Sequence, residues 1–342
     1  MRLNPRRFAV KMSDGDLRRL RVFCTVTRCG GFAAAESELQ MGLPSISRYI
    51  KDLEIRLGAT LCRRGRVGFE LTDQGRHIYA AGLQLIADLK RFESRMTSMH
   101  SALSGTLTIG IIDTLITDRN MPLPELLRAY KRKHTQVEFN IETKPSNLVE
   151  QAVIDGTLEA GLVIGRRHIQ QLDYKLLYQE PHNLYCSDEH PLFHRDPATL
   201  SIEDVCKYEY ASYSFASSAT DAAERSGPAR RLNTSACVDS VEAMAILVSS
   251  GCFLAMLPDH YVQSVWRLRH FKPILPHLFS VSNDIELATR HGTPSPLVMA
   301  LLDVVDELGS APLQSRPGVA GARERSDKGR PATAGLLEPG HA

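Results

Sequence analysis

Residues 30–58 of this 342-residue chain read GGFAAAESELQMGLPSISRYIKDLEIRLG. Phe32 to Leu39 is built from good helix formers, and the Gln40-Met41-Gly42 break ends it. Pro44 then falls in the first turn of a second helix, where its missing N–H costs no hydrogen bond. Along that helix Ile46, Ile50, Leu53 and Leu57 recur at helical spacing, one apolar stripe turned to a core. The opposite face carries Ser45, Ser47, Arg48 and Lys51, short hydroxyls mixed with cations, which suit phosphate oxygens and major-groove base edges. An ordinary solvated helix has the same two-faced pattern, so the flanking sequence must decide.

Upstream, Leu17, Leu20, Phe23 and Val26 predict a helix over about 15–28 that stops at Cys29-Gly30-Gly31, giving three short helices in succession. Downstream comes ATLCRRGRVGFELTDQG. Leu61-Cys62 and Phe69-Glu70-Leu71 read as short strands flanking a turn rich in Arg63, Arg64, Gly65, Arg66 and Gly68. Such a hairpin is a wing, offering cations to the nucleic-acid backbone beside a groove. An Arg-rich loop alone is nonspecific; directly after a candidate recognition helix it completes a winged helix-turn-helix over 13–72. Thr72 is placed to cap a long helix, with Asp73 in its first turn. Ile78, Gly82, Leu85, Leu89, Phe92, Met96, Met99 and Leu103 alternate by four and three through residues 73–103, a heptad seam. The seam needs a partner, either a second copy or another part of the same chain. With a second copy, Ile78, Leu85, Leu89, Phe92, Met96 and Met99 form the dimer contact.

Beyond Ser104-Gly105 the pattern changes. Thr106–Ile112 reads as a buried strand, followed by a helix near 121–133, a strand Val137–Thr143, a helix Ser146–Asp155 and a strand Glu159–Ile164. Strands at Asp173–Tyr178 and Asn183–Cys186 lead into a second unit: strands near Glu209–Ser214 and Ser235–Val238, a helix Ser240–Ser249 and a strand Phe253–Leu257. Ile285–Thr289 could return to the first unit, and Leu297–Leu308 is a closing helix. Alternating β and α elements predict an α/β domain in two parts over 104–308. Residues 1–12 and 309–342 lack periodicity and are expected to be disordered, with Met12 an alternative start.

Composition sharpens the division. The formal net charge of +2 conceals a basic front: residues 1–100 hold 18 Lys+Arg against 10 Asp+Glu, and the remainder 23 against 29. A basic module on an acidic body implies a polyanionic partner for the first. Seven cysteines without C-x-x-C spacing argue against a disulfide framework or zinc module. No run approaches the ~20 apolar residues of a membrane span, and Arg6-Arg7 is followed by Ser13-Asp14-Gly15-Asp16 where an export signal needs apolar residues. A cytoplasmic protein is expected. The chain has no G-x-S-x-G, G-x-x-x-x-G-K-[ST] or H-E-x-x-H motif, so an enzyme is not expected, nor is a cofactor. Asp188-Glu189-His190 with His194 has Pro191 inside it, which works against a shared helical face for metal, and no metal site is expected.

The order winged helix-turn-helix, long linker helix, two-part α/β domain resembles the LysR-type transcriptional regulators. The resemblance is carried by LRRLRVFCTVTRCGGFAAAESEL, PSISRYIKDLEIRLG and LCRRGRVGFELTDQG, and more weakly by LTIGI, EAGLVIG and LVSSGCFLAMLP. It implies a homodimer or homotetramer on double-stranded promoter DNA, RNA polymerase as a conceivable further partner, and no membrane. It also implies a periplasmic-binding-protein-like (type 2) domain with a small-molecule cleft between its subdomains. By position, the family's DNA contacts fall on Pro44, Ser45, Ser47, Arg48 and Lys51, and on Arg63, Arg64 and Arg66 of the wing. Gly42-Leu43 stands where the family usually has Ser-Gln; leucine cannot donate to a purine edge but can pack on a thymine methyl. The family's effector contacts fall on Thr114, Ser146, Asn147 and Arg166, with Tyr213 and Ser240 from the second unit. Helix starts with hydroxyls suit a carboxylate, with Arg166 as countercharge, so an anionic effector is expected. The alternative is a cytoplasmic solute sensor that acts through protein contacts without specific DNA binding.

Overall fold

The computed structural model describes residues 12–65, 68–98, 103–165, 167–213, 228–292 and 294–309. Most of both expected disordered tails, and Arg66, Met99 and Arg166, lie outside these residues, as does the side chain of Arg64.

The N-terminal unit opens with α1 (Asp14–Arg28), α2 (Phe32–Leu39) and α3 (Leu43–Leu57). Ser13 caps α1 in a reciprocal capping box with Asp16, whose carboxylate also receives Arg19 and Arg56, the latter from α3. The stripe Ile46, Ile50 and Leu53 is buried against Leu20, Phe23, Val26 and Ala35. Burying such side chains contributes about 1.5–3 kcal/mol each, which fixes the rotation of α3 and leaves its polar face outward. Strands β1 (Cys62–Gly65) and β2 (Gly68–Leu71) pair antiparallel, with Cys62 opposite Leu71. The Phe69 ring meets Phe32 edge-on, 5.8 Å between centroids, and holds this hairpin to α2.

Helix α4 (Asp73–Ser98) starts as the sequence implies: the Thr72 hydroxyl accepts the Gly75 N–H at 2.9 Å. Its face is divided, however. Ile78, expected in a seam between copies, packs into the core of its own N-terminal unit. Gly82 lies against Leu20 and Cys24, where a Cβ would come within 2.9 Å of Leu20. The stripe opens to solvent only further along, with Phe92 62% exposed and Leu85 and Met96 also exposed.

The C-terminal unit is built on one mixed sheet. Its elements are β3 (Ser104–Ile111), α5 (Leu123–Lys133), β4 (Gln136–Thr143), α6 (Ser146–Asp155), β5 (Ala160–Ile164), β6 (Leu172–Cys186), α7 (Ile202–Val205), β7 (Glu209–Tyr213), β8 (Asn233–Val238), α8 (Val241–Ser249), β9 (Phe253–Pro258), α9 (Asp259–Ser264), β10 (Lys272–Pro273), α10 (Pro276–Phe279), β11 (Val281–Arg290) and α11 (Pro296–Gly309). Strand order is β4-β3-β5-β11-β6-β9-β7-β8, with β10 beside β6. Parallel pairs β3–β4 and β3–β5 form one half, and β7–β8 and β7–β9 the other. Antiparallel β11 and β6 join them. The two strands expected at Asp173–Tyr178 and Asn183–Cys186 are one continuous β6, because the loss of a donor at Pro181 does not interrupt pairing with β11. β6 therefore runs from one half into the other. Leu107, Ile109, Leu126, Leu162 and Leu301 anchor the first core; Leu184, Tyr210, Leu254 and Met256 belong to the second. Among the described residues, no helix is long and apolar enough to cross a membrane.

Candidate nucleic-acid interface and ligand cleft

On α3, Pro44, Ser45, Arg48 and Lys51 are exposed and Ser47 half-buried, along the side opposite the buried stripe. Gly42 caps α3 without a side chain, so a free N–H has to be satisfied from elsewhere. Glu36 of α2 supplies it, accepting the Leu43 N–H at 2.7 Å and placing a carboxylate at the positive end of the helix. At the other end Glu54 accepts the N–H groups of Leu61 and Cys62 at 2.7 and 3.4 Å, tying the end of α3 to the hairpin. These links tie α3 to the hairpin, whose β1 carries the exposed Arg63.

Between the halves of the C-terminal unit lies an open cleft of about 690 Å³. Thr114, Ser146, Asn147, Tyr213 and Ser240 all line it, drawn from both halves. The side chains are not equivalent. The Ser146 hydroxyl accepts the Ile164 N–H at 3.1 Å and locks the end of β5 to the start of α6. Pro145 precedes α6 and gives it no side-chain cap, so the helix presents its amino end to the cleft through backbone N–H groups. Ser240 caps α8 through the Ala243 N–H. Across the cleft Asp113 Oδ2 accepts the Val241 N–H at 2.8 Å, so the amino end of α8 already holds a carboxylate of the other half. Burial raises the Asp113 carboxyl above its ordinary pKa despite that bond. Thr114 has left-handed backbone, φ 61°, and turns the chain from β3 into the following 3-10 turn.

Lys144, whose ammonium pairs with the Glu142 carboxylate, and Arg167 line the cleft, as do Asp113, Glu180 and Asp239. Glu180 is flanked by two imidazoles, His182 Nε2 at 2.6 Å and His260 Nε2 at 2.8 Å. Burial pushes its carboxyl up, but hydrogen bonds with both rings prevail and hold it at about 2.

Two family models match the chain: "Bacterial regulatory helix-turn-helix protein, lysR family" over residues 17–76 and "LysR substrate binding domain" over residues 100–309. The chain belongs to the LysR family of bacterial transcriptional regulators. The HTH-type transcriptional activator BauR of Pseudomonas aeruginosa is 38% identical over 289 residues, 84% of this chain and 93% of BauR. Among solved structures, the fold is similar to full-length CbnR complexed with its target DNA, at TM-score 0.57 and 20% identity, covering 85% of this chain and 99% of CbnR. A full-length OxyR variant from Pseudomonas aeruginosa gives TM-score 0.58 at 20% identity over 86% of this chain and 95% of that one.

For this LysR regulator the cleft adds residues that the sequence does not single out. Lys144 immediately precedes Pro145-Ser146, and Asp113 immediately precedes Thr114, so their signal was adjacency to the motifs. Glu180 and His182 carry no local signal, because they are brought in by the run of β6.

Proposed function

We propose that this LysR-family protein binds promoter DNA as a homodimer or homotetramer and responds to a small organic anion held in the cleft. It acts on DNA in the cytoplasm, with α3 in the major groove and the wing on the backbone. The observation that carries the DNA reading is the two-sided α3. Ile46, Ile50 and Leu53 are fully engaged inside, which commits Ser45, Arg48 and Lys51 to the outside. Exposed Leu85, Phe92 and Met96, with half-buried Leu89, form the stripe for a second copy, and pairing supplies two recognition helices to two half-sites. The anion reading rests on the amino end of α6 together with Lys144 and Arg167, which line the same cleft. Acidic Asp113, Glu180 and Asp239 confine an anion to that side. Effector-driven closure would alter the spacing of the DNA-binding pairs, and with it DNA bend and the access of RNA polymerase.

Footprinting the DNA upstream of the protein's own gene tests the reading. Protection of two half-sites a whole number of helical turns apart is expected. No protection at low salt by a folded dimer would favour a sensor that works through protein contacts. An unchanged DNA bend angle at saturating effector would sink the closure mechanism.

A further inference from the structure

Where the two halves meet, Asp118, Glu180 and His260 bring Oδ2, a carboxylate oxygen and a ring nitrogen within 4.8 Å of one another. Asp118 follows the 3-10 turn Leu115–Thr117 of the first half, Glu180 is on β6, and His260 is on α9 of the second. The Asp118 and Glu180 side chains are each only 3% exposed. Burying two carboxylates together is costly unless positive charge compensates them.

The partners of this cluster leave one place unfilled. Asp118 Oδ1 accepts the Asn120 N–H at 2.8 Å, but its buried Oδ2 has no hydrogen-bond partner and lies 3.9 Å from His260 Nε2. The buried Tyr178 hydroxyl, close enough to feel both carboxylates, also lacks a partner. His260 is held in a definite orientation. A carbonyl only accepts, so the Thr117 hydroxyl donates to the Thr114 carbonyl at 2.8 Å and must accept from His260 Nδ1–H, also at 2.8 Å. Nε2 is thereby the nitrogen whose N–H donates to Glu180 Oε1, 2.8 Å away, and which faces Asp118 Oδ2; a metal ion bound here takes the place of that proton, which is released to solvent. A ring nitrogen aimed at the ligand position, with the other N–H anchored on an oxygen, is the usual arrangement of a metal-binding histidine.

We infer that Asp118 Oδ2, Glu180 Oε1 and His260 Nε2 form a site for a divalent first-row transition-metal ion. One imidazole with two carboxylates suits zinc, whereas magnesium and calcium favour all-oxygen sets. Donor atoms around one such ion stand roughly 3–3.6 Å apart; the observed 2.8 and 3.9 Å bracket that range. His182 stays on Glu180 Oε2 at 2.6 Å and orients the carboxylate. The ion ties the first half to α9 and to β6, beside the cleft that Glu180 also lines. No organic effector is needed for it to bind.

Titration of the chelator-treated, tag-free full chain with zinc sulfate, followed by calorimetry and metal analysis, tests this. One zinc per chain is expected, with a rise in unfolding temperature and no comparable response to magnesium. Asp118→Asn and His260→Gln should each weaken zinc binding at least about a hundredfold, and Thr117→Val by about 10–100-fold. His291→Gln, on the exposed ring paired with Asp173, should leave it unchanged. Circular dichroism establishes that each variant is folded, and Thr117→Val removes no ligand if a ligand variant is not. Absence of saturable zinc binding would overturn the site. So would equal affinity in wild type, Asp118→Asn and His260→Gln, which would place the ion elsewhere. Because no organic anion is used as a probe, failure of the anion proposal leaves this result untouched.

Discussion

At Gly75 a Cβ would stand 1.9 Å from the Leu61 carbonyl oxygen, which accepts the Thr72 N–H at 3.0 Å. The glycine is there so that the first turn of α4 can lie against the hairpin. Gly75→Ala should destabilise the DNA-binding unit by about 1–3 kcal/mol, seen as a lower urea midpoint at unchanged slope. Asp16 is a second residue whose role is set by its neighbours. Hydrogen bonds from Ser13, and the Arg56 guanidinium, hold its carboxyl below the ordinary value. The folded state therefore binds the proton more weakly than the unfolded chain. The stability this carboxylate contributes is complete above the ordinary carboxylate pKa of about 4 and is lost as pH falls below it. The difference between wild type and Asp16→Asn should shrink on acidification; a gap constant down to the acid transition would contradict this. Ser13 and Asp16 were legible as a cap in the sequence, three residues apart. Arg56 was not, since it arrives from α3.

In the proposed function, helix α3 and the wing divide the DNA work. Arg48→Ala should cost about 1–3 kcal/mol on the operator and little on random DNA, because base-edge contacts carry the sequence preference. Arg63→Ala should weaken both similarly and flatten the salt dependence by about one unit of slope. Competition binding at several salt concentrations separates them; equal losses on both DNAs for Arg48→Ala would remove it from the base-reading set. On α4 the heptad pattern was visible in the sequence, but not which part of it a single chain already covers. Ile78 and Gly82 belong to the fold of one chain, whereas Leu85, Phe92 and Met96 are exposed. Phe92→Glu should therefore convert the oligomer to monomers in sedimentation while leaving the helix content of each chain unchanged.

Across the whole molecule, β6 makes the two halves of the C-terminal unit parts of one sheet, and the cleft forms at their junction. Small organic acids that raise the unfolding temperature of wild type should do so markedly less for Arg167→Ala, since Arg167 lines the cleft. An undiminished shift would remove Arg167 from the site. The sequence by itself determined the local elements. Apolar periodicity, caps and glycines act within a few residues, so α1 to α4 and the alternating β and α segments were legible. The family was legible too, and five of the six cleft residues named from it line one cavity. What only the tertiary structure decided depends on groups far apart in the chain. These are the Asp113 carboxylate on the amino end of α8, the continuity of β6 through Pro181, and the meeting of Asp118, Glu180 and His260. Such pairings leave no periodic trace, because strand order and the crossing of β6 between the halves, rather than neighbouring residues, bring the atoms together.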